Sequence, residues 1–295
     1  MVIVQISCGL GNQLFQYAVG RRLALLNRTR LKLDISSYES DSLRHYMLDN
    51  FNIKADIASS SEIEKLKKPR LYGRRDILLD RFEKIGLYHR PVIIKEKEND
   101  LRFDPSVLRK TKHAYLDGWW ATEKYFKEIS SIIRSELTLR NPLSRESVNL
   151  LAEIESNNAI SVHVRRGDKA SDPTVNNWHG TCGLDYYNRA VDLIAEQVSL
   201  PHFFVFSDDP EWAVDNLKLG WPCTFISHNL NASRDYEDLF LLSRCKHHII
   251  SNSTFSWWGA WLCDNTDKIV LSPEQWFNNL NFDMSDLYPS TWLQL

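Results

Sequence analysis

The sequence predicts an α/β protein made of two doubly wound domains, each built on a parallel sheet. Three observations support this: short apolar strands alternate with helices, a glycine-bearing turn follows the first strand, and polar residues cluster where strands end. Asn141 and Pro142 break the alternation, so we place domains over residues 1–142 and 143–275. We expect the tail, residues 276–295, to pack back on the first domain.

The first domain begins with a strand–turn–helix–strand unit. We predict a strand over Val2–Ile6, a turn over Ser7–Gly11, a helix capped by Asn12 and a second strand over Arg30–Asp34.

The rest of the first domain is less regular. Ala114–Trp120 is predicted as a strand and Lys124–Leu137 as an amphipathic helix. Residues 61–112 hold 15 basic and 9 acidic side chains without clean periodicity, a local excess of six positive charges.

The second domain shows regular alternation and predicts a doubly wound sheet. The predicted strands are Ala159–Val164, Phe203–Ser207, Thr224–Ser227, His248–Ser251 and Lys268–Leu271. The predicted helices are Ser147–Ser156, Leu184–Val198, Pro210–Leu217, Asp235–Arg244 and Thr254–Cys263. Such sheets bind ligands at the carboxyl ends of their strands.

The composition excludes several classes of protein. The 295 residues include 36 Lys and Arg and 38 Asp and Glu, which gives a net charge of −2. A dedicated nucleic-acid-binding protein would be strongly basic, so the charge argues against that class. No stretch approaches the ~20 apolar residues of a membrane-spanning helix, and the start does not read as a secretory signal. Five cysteines without a Cys-x-x-Cys pair indicate reduced thiols and a cytoplasmic protein.

The glycine turn holds the first candidate site residues. A Gly-x-Gly pattern ends at Gly11, and Asp34 ends the next strand, which resembles a dinucleotide-binding fingerprint except that Leu14 takes the third glycine position. The amides of Asn12 and Gln13 suit sugar hydroxyl groups better than a pyrophosphate. One alternative is a tight turn without a ligand. Another is the dinucleotide site of a nicotinamide oxidoreductase, which would leave the arginine and Ser/Thr groups described below unexplained.

The second candidate group ends the predicted strand Ala159–Val164. Its members are His163, Arg165, Arg166 and Asp168. Because side chains alternate along a strand, His163 and Arg165 share a face, so one arginine faces the ligand and the other braces the loop. Guanidinium groups match phosphate oxygens in pairs. A purely structural Arg–Asp pair is the alternative.

The third group follows the next strand. Ser207, Asp208 and Asp209 precede Pro210 in the first turn of a helix. One aspartate is expected to cap that helix, and the other to accept hydrogen bonds from a base or ribose. A metal-binding pair is the alternative.

The fourth group starts the helix Thr254–Cys263. It contains Asn252, Ser253, Thr254 and Ser256, and a helix start rich in hydroxyl groups suits a phosphate. An ordinary helix cap is the alternative.

Two other functions are weaker. A non-catalytic carbohydrate-binding module would use Trp257, Trp258 and Trp261, which are more typical of a core. A metal site at His247-His248 and Glu237-Asp238 lacks three ligands on one face, so we expect no metal.

Together these groups suggest two Rossmann-like halves facing a cleft, one for a nucleotide diphosphate and one for a hydroxyl-bearing acceptor. This is the plan of a metal-independent glycosyltransferase. Residues 9–18, 163–168 and 252–261 closely resemble the signature blocks of the α-1,2-fucosyltransferases, glycosyltransferase family 11. Asp117–Trp120 and Glu123–Phe126 also resemble that family, whereas Cys8 stands where it usually has glycine.

The resemblance implies a GT-B fold and GDP-β-L-fucose as donor. The acceptor would be a terminal β-galactoside, fucosylated at O2 with inversion in bacterial glycan or O-antigen synthesis, without a divalent metal or other cofactor. The basic residues 61–112 would help the enzyme meet lipid-linked acceptors at the inner face of the membrane.

The resemblance also implies roles for the candidate residues. Arg165 or Arg166 would bind the diphosphate, with His163 near the nucleoside and Asp168 fixing the loop. The other donor-side residues would be Ser207, Asp208, Asp209, Asn252, Ser253, Thr254 and Ser256, with an aspartate on guanosine and hydroxyl groups on phosphate. Asn12 would lie near the reacting centre, and Gly11, Gln13 and Trp119 on the acceptor side. The catalytic base is left open.

Overall fold

A computed structural model describes residues 1–67, 91–97, 100–109, 111–229, 234–278 and 282–295, and of Asp168 only the backbone. Half of the basic stretch 61–112, residues 68–90, 98, 99 and 110, lies outside the described residues, and with it part of the surface expected to meet lipid-linked acceptors. Among the described residues, no helix combines the length and apolar character that a membrane crossing requires.

The chain divides into two compact units. The first comprises residues 1–138 and 283–287, and the second residues 139–282 and 288–295. The first boundary falls a few residues before Asn141 and Pro142, where the alternation breaks. The C-terminal residues do not form a single tail. Residues 283–287 belong to the first unit, and residues 288–295 belong to the second.

The first unit is built on a parallel sheet of five described strands in the order β3-β2-β1-β5-β4. The strands are β1 (Val2–Gln5), β2 (Leu31–Asp34), β3 (Asp56–Ile57), β4 (Val92–Lys95) and β5 (Ala114–Asp117). The helices among its described residues are α1 (Leu10–Leu26), α2 (Ser60–Lys67) and α3 (Ser130–Glu136). Because β1 lies at the centre with β2 and β5 on either side, the loops after β1 and β5 meet at one edge of the sheet.

The second unit has a parallel sheet in the order β11-β10-β9-β6-β7-β8. The strands are β6 (Asn158–Val164), β7 (Pro201–Ser207), β8 (Cys223–Ile226), β9 (His247–Ile249), β10 (Val270–Ser272) and β11 (Leu293–Gln294). The helices are α4 (Arg145–Ser156), α5 (Gly167–Ser171), α6 (Pro173–His179), α7 (Leu184–Ala195), α8 (Pro210–Asn216), α9 (Asp235–Arg244) and α10 (Thr254–Leu262). Numbered within the unit, this is the Rossmann order 3-2-1-4-5-6, whose switch point lies between β6 and β9.

Four features differ from the sequence-based prediction, two of them in the first unit. Helix α1 begins at Leu10 with Gly9 at its N-cap and no capping side chain, so Asn12 lies inside the first turn and does not cap it. The helix predicted over Lys124–Leu137 is two 3-10 turns followed by α3, because adjacent Tyr125 and Phe126 are both buried and cannot share one helical face.

The other two differences lie in the second unit. The predicted loop between Val164 and Leu184 contains the short helices α5 and α6. The sheet also gains β11, which pairs with β10 through Leu271 and Leu293. The three tryptophans of α10 are buried core residues, as their spacing indicated.

Candidate functional site

The end of β6 and the end of β9 are joined at the switch point of the second sheet. The Nδ1 atom of His163 lies 2.9 Å from Oγ of Ser251, and the hydroxyl of Tyr187 donates to the carbonyl of His163 at 3.1 Å. Burial, together with the positive charges of Arg165 and Lys169, lowers the pKa of His163 to about 3. His163 is therefore a neutral, fixed side chain beneath a positively charged loop.

Asp208 braces the loop that follows β6. Its carboxylate forms an ion pair with Arg165 and accepts the backbone N–H of Arg166 at 2.7 Å. A Cβ at position 167 would overlap this carboxylate, so Gly167 is needed for the close approach. The prediction that one aspartate of the pair is free for a base or ribose is therefore wrong for Asp208, whose oxygens hold the arginine loop.

The Arg166 guanidinium is held against the start of α8. It lies 3.8 Å from the ring centre of Trp212, and its Nε is 3.4 Å from Oδ2 of Asp209. Asp209 is also the N-cap of α8 and accepts the backbone N–H of Trp212 at 3.3 Å, which confirms the predicted cap. Ser207 accepts the N–H of Asp209 at 3.0 Å, so it shapes this turn.

Only part of the predicted phosphate site at α10 has available hydroxyl groups. Ser253 is the N-cap residue but its side chain makes no capping bond, and Thr254 starts the helix half-buried. Ser256, in contrast, is fully buried and donates to the carbonyl of Ser253 at 3.2 Å. The prediction that Ser256 contacts a phosphate therefore fails, whereas Ser253 and Thr254 lie at the positive end of the helix.

Asn252 is a structural residue, contrary to its predicted place on the donor side. Its side chain is buried, and its amide nitrogen donates to the carbonyls of His179, Gly180 and Trp276 at 2.8, 3.2 and 3.0 Å. These bonds fix the loop before α10 rather than a ligand.

Lys169 connects the arginine loop with the start of α10. It is buried, and its Nζ donates to the carbonyl of Asn252 at 2.7 Å. Lys169 is not among the residues predicted from the sequence, although a lysine directly after the candidate Asp168 is a usable signal. The side chain of Asp168 itself lies outside the described residues.

A second polar pair lies at the carboxyl end of β8. The amide of Asn229 donates to Oδ1 of Asp238 at 2.6 Å, and the buried Oδ1 of Asn229 has no hydrogen-bond partner among the described residues. Burial raises the pKa of Asp238 to about 7, and the nearby charges of Asp235 and Glu237 act in the same direction. Sequence reasoning weighed Asp238 only as a metal ligand.

The glycine turn of the first unit has a strained backbone at its start. Cys8 adopts φ 64°, in the left-handed region that favours glycine, which explains the glycine usual at this position. Gly11 is buried in the first turn of α1, and Asn12 lies there half-buried.

Gln13 and Gln16 hold this turn together. Gln13 is fully buried, donates to the carbonyls of Cys8 and His45 at 3.1 and 2.7 Å, and accepts the N–H of Met47 at 2.9 Å. Its predicted contact with the acceptor is therefore replaced by a structural role. Gln16 accepts the N–H of Ser7 at 2.9 Å and donates to the carbonyl of Gly118 at 3.2 Å, so it ties the loops after β1 and β5.

The residues weighed as metal ligands are used elsewhere. Glu237 accepts from Ser144 at 2.7 Å, and His248 lies 2.8 Å from the hydroxyl of Ser161 in the interior of the sheet. In the part of the chain that the structure describes, no group of three His, Cys, Asp or Glu side chains converges to hold a metal ion.

Comparisons with known proteins agree with this arrangement. The Glycosyl transferase family 11 model matches residues 1–295. An alpha-1,2-colitosyltransferase of Escherichia coli is 30% identical over 100% of this chain and 99% of its own length. The O-antigen biosynthesis glycosyltransferase WbnK of Escherichia coli is 31% identical over 98% of this chain and 99% of its own. Galactoside alpha-(1,2)-fucosyltransferase 1 of Mus musculus is 30% identical over 53% of this chain and 43% of its own.

Solved structures give the same fold. NodZ alpha-1,6-fucosyltransferase of Bradyrhizobium, soaked with GDP-fucose, matches 88% of this chain and 91% of its own with a TM-score of 0.51 and 16% identity. Arabidopsis thaliana FUT1 in complex with GDP matches 91% of this chain and 69% of its own with a TM-score of 0.51 and 13% identity. With two parallel-sheet α/β units in this chain, these matches confirm the predicted GT-B fold class.

Proposed function

Because the chain belongs to glycosyl transferase family 11, we propose that it is an α-1,2-fucosyltransferase. It moves L-fucose from GDP-β-L-fucose to O2 of a terminal β-galactoside, with inversion, in the synthesis of a bacterial surface glycan such as an O-antigen. The relatives that span the whole chain are named for O-antigen synthesis and for α-1,2 transfer of colitose, which supports this reaction class.

The observation that carries the proposal is that the arginine loop and the positive end of helix α10 meet at one switch point of the second sheet. The arginine loop after β6 and the start of α10 lie on the two strands that flank it, and Lys169 links them through its bond to Asn252. Guanidinium forks and the positive end of a helix both favour a diphosphate. We place the donor diphosphate there, with the Arg165 guanidinium and the hydroxyl groups of Ser253 and Thr254 as its ligands.

These groups act on the leaving group. As the bond between fucose and the diphosphate breaks, negative charge builds on the phosphate oxygens. A fixed positive site binds that charge more strongly in the transition state than in the ground state, which lowers the barrier. Because Asp208 holds the Arg165 side chain and the backbone of Arg166 in place, little reorganisation is needed when charge develops.

We assign the guanine base to Asn229 and Asp238 instead of Asp208 or Asp209. The edge of guanine carries two adjacent N–H donors, and a carboxylate accepts both. The Oδ1 of Asn229, which has no hydrogen-bond partner in the described part of the chain, offers a further acceptor at the same sheet edge. We expect Asp238→Asn to weaken GDP binding about tenfold or more, as for a hydrogen bond to a charged group, while Asp235→Asn on the same helix turn leaves it unchanged.

A second donor sugar is favoured by one specific observation. The colitosyltransferase matches along the full chain, and colitose differs from fucose by the absence of one hydroxyl group. GDP-colitose is therefore the alternative donor, with the same leaving group and the same positive site.

The proposed function is tested with purified protein, GDP-fucose or GDP-colitose, and a panel of β1,3- and β1,4-linked galactosides. We expect a product carrying one added fucose, with O2 of the terminal galactose as the linkage position by methylation analysis. A product lighter by one oxygen, formed only from GDP-colitose, would select the alternative donor. Linkage to another oxygen, or no transfer from either donor, would contradict the proposal.

A further inference from the structure

A cavity of about 330 Å³ lies at the carboxyl edge of the first sheet. The residues after β4 and the segment after β5 line it, and three aromatic rings form part of its wall. The ring centres of Phe103 and Tyr125 are 5.0 Å apart, and those of Trp120 and Tyr125 are 5.6 Å apart. Rigid aromatic walls with a few fixed polar groups are typical of a small-molecule site, and this volume suits one or two sugar rings.

The carboxylates that line this cavity are not equivalent. Three of them have cationic partners: Asp100 with Arg102, Asp104 with Lys97, and Asp286 with Lys124. The fourth, Glu96, has no cationic partner among the described residues. It accepts instead the backbone N–H groups of Trp119 and Trp120, at 2.6 and 2.9 Å.

The protonation of Glu96 follows from this difference. Burial raises the pKa of Glu96 to about 7, and the two backbone N–H groups only partly oppose it. A carboxylate poised near neutral pH can take up a proton during a reaction. Hydrogen bonds from Arg102 and Ser106, in contrast, lower the pKa values of Asp100 and Asp104.

The glycine in the loop after β5 allows this arrangement. A Cβ at position 118 would come within 2.5 Å of the Glu96 Cβ, so only glycine lets the loop present its N–H groups to the carboxylate. The N–H of Trp119, a residue predicted on the acceptor side, is one of them.

An unused donor also belongs to this wall. The Trp120 side chain lines the cavity and is 1% exposed, yet its indole N–H has no acceptor among the described residues. A buried donor without a partner is costly, and a ligand oxygen would satisfy it.

We propose that this cavity holds the acceptor sugar and that Glu96 is the general base for its reacting hydroxyl group. The inference rests on the proposed function and names the base that the sequence left open. The hydroxyl oxygen forms a bond to C1 of fucose, the bond from C1 to the diphosphate oxygen breaks, and GDP leaves with the electron pair. The hydroxyl proton passes to the Glu96 carboxylate.

The test compares the wild type with Glu96→Gln and with the matched control Asp117→Asn. Asp117 ends the neighbouring strand, is half-buried, and pairs with Lys95 without lining the cavity itself. We measure kcat/KM for the acceptor between about pH 5.5 and 8.5 with GDP-fucose saturating at every pH, so that protonation of Asp238 in the donor site does not shape the profile. We also measure the rise in melting temperature that GDP produces. The GDP effect reports that each variant is folded with an intact donor site.

The expected results separate a base from a structural residue. Wild type and Asp117→Asn should lose activity as the pH falls through about 7. Glu96→Gln should lose about a hundredfold or more in kcat/KM, and its remaining activity should not vary with pH in this range.

Several results would overturn the inference. A flat wild-type profile would do so whether or not the variant folds, and so would a Glu96→Gln profile that keeps the wild-type pH dependence. Failure of the wild type to transfer fucose to any galactoside would instead contradict the proposed function, so the two failures are distinguishable.

Discussion

The imidazole Nδ1 of His163 lies 2.9 Å from the hydroxyl of Ser251, and this bond crosses the switch point of the second sheet. It joins the strand that leads into the arginine loop to the segment that leads into α10. The neutral side chain of His163 therefore fixes the arginine loop and the start of α10 to each other. The positive charge of the proposed donor site comes from the arginine loop and from the helix start.

The buried imidazole makes stability depend on pH. The pKa of His163 in the folded protein is about 3, below the ordinary value, so as the pH falls the unfolded chain takes up the proton first. His163 therefore costs no stability above about pH 6.5 and destabilises the fold progressively from there down to about pH 3. We expect the free energy of unfolding, from urea titrations, to fall less steeply with decreasing pH in His163→Gln, by up to about 1.4 kcal/mol per pH unit. Parallel curves would contradict this role.

Gly167 should be intolerant of a side chain. In Gly167→Ala the new Cβ overlaps the Asp208 carboxylate, so the brace of the arginine loop must shift, at about 1–3 kcal/mol. We expect weaker GDP binding by calorimetry. Gly183→Ala is the control, because a Cβ there meets nothing within 4 Å. Equal GDP affinity in the two variants would show that the brace is not needed.

Cys8 should make the fold less stable than a glycine at the same position would. A residue other than glycine at φ 64° carries a strain of about 1–3 kcal/mol, while glycine costs about 0.5–1 kcal/mol in unfolded-chain entropy. We expect Cys8→Gly to raise the free energy of unfolding by roughly 1 kcal/mol, measured by thermal and urea denaturation. A decrease would mean that contacts of the thiol outweigh the backbone strain.

Several features could be predicted from the sequence because they depend on local pattern. The strand ends that carry His163 and Ser207 follow from short apolar runs bounded by polar residues. A helix cap on one of Asp208 and Asp209 follows from the proline after them, and the structure shows that it is Asp209. Because β6 lies between β7 and β9, the groups at the ends of these strands then lie at one edge of the sheet.

Other features depend on contacts between distant residues and leave no local signal. Asn252 and Ser256 look like ligands in a polar turn, but folding buries them against backbone carbonyls. Glu96 and Asp238 look like ordinary surface acids, and only burial raises their pKa values. Gln13 is an amide beside a glycine turn, and two of its partners, His45 and Met47, lie more than thirty residues away.

Turnover should not require a divalent metal. In the proposed site, the arginine loop and the start of α10 supply the positive charge that a metal would bring to a leaving diphosphate. We expect the rate of fucose transfer to be unchanged in EDTA and unaffected by added Mn²⁺. Loss of most activity in EDTA, with recovery on addition of Mn²⁺, would instead favour a metal beside Asp208 and Asp209.

The most direct test of the account is the turnover number of Arg165→Lys compared with that of Arg166→Lys, with GDP-fucose saturating. Arg165 directly follows β6 and is the proposed diphosphate ligand, whereas Arg166 is held on Trp212 and Asp209. A lysine cannot reproduce two parallel bonds to phosphate oxygens. We predict that Arg165→Lys loses about 3 kcal/mol of transition-state stabilisation, roughly a hundredfold in kcat, and that Arg166→Lys loses much less. Near-native turnover of Arg165→Lys, or a larger loss in Arg166→Lys, would contradict the account.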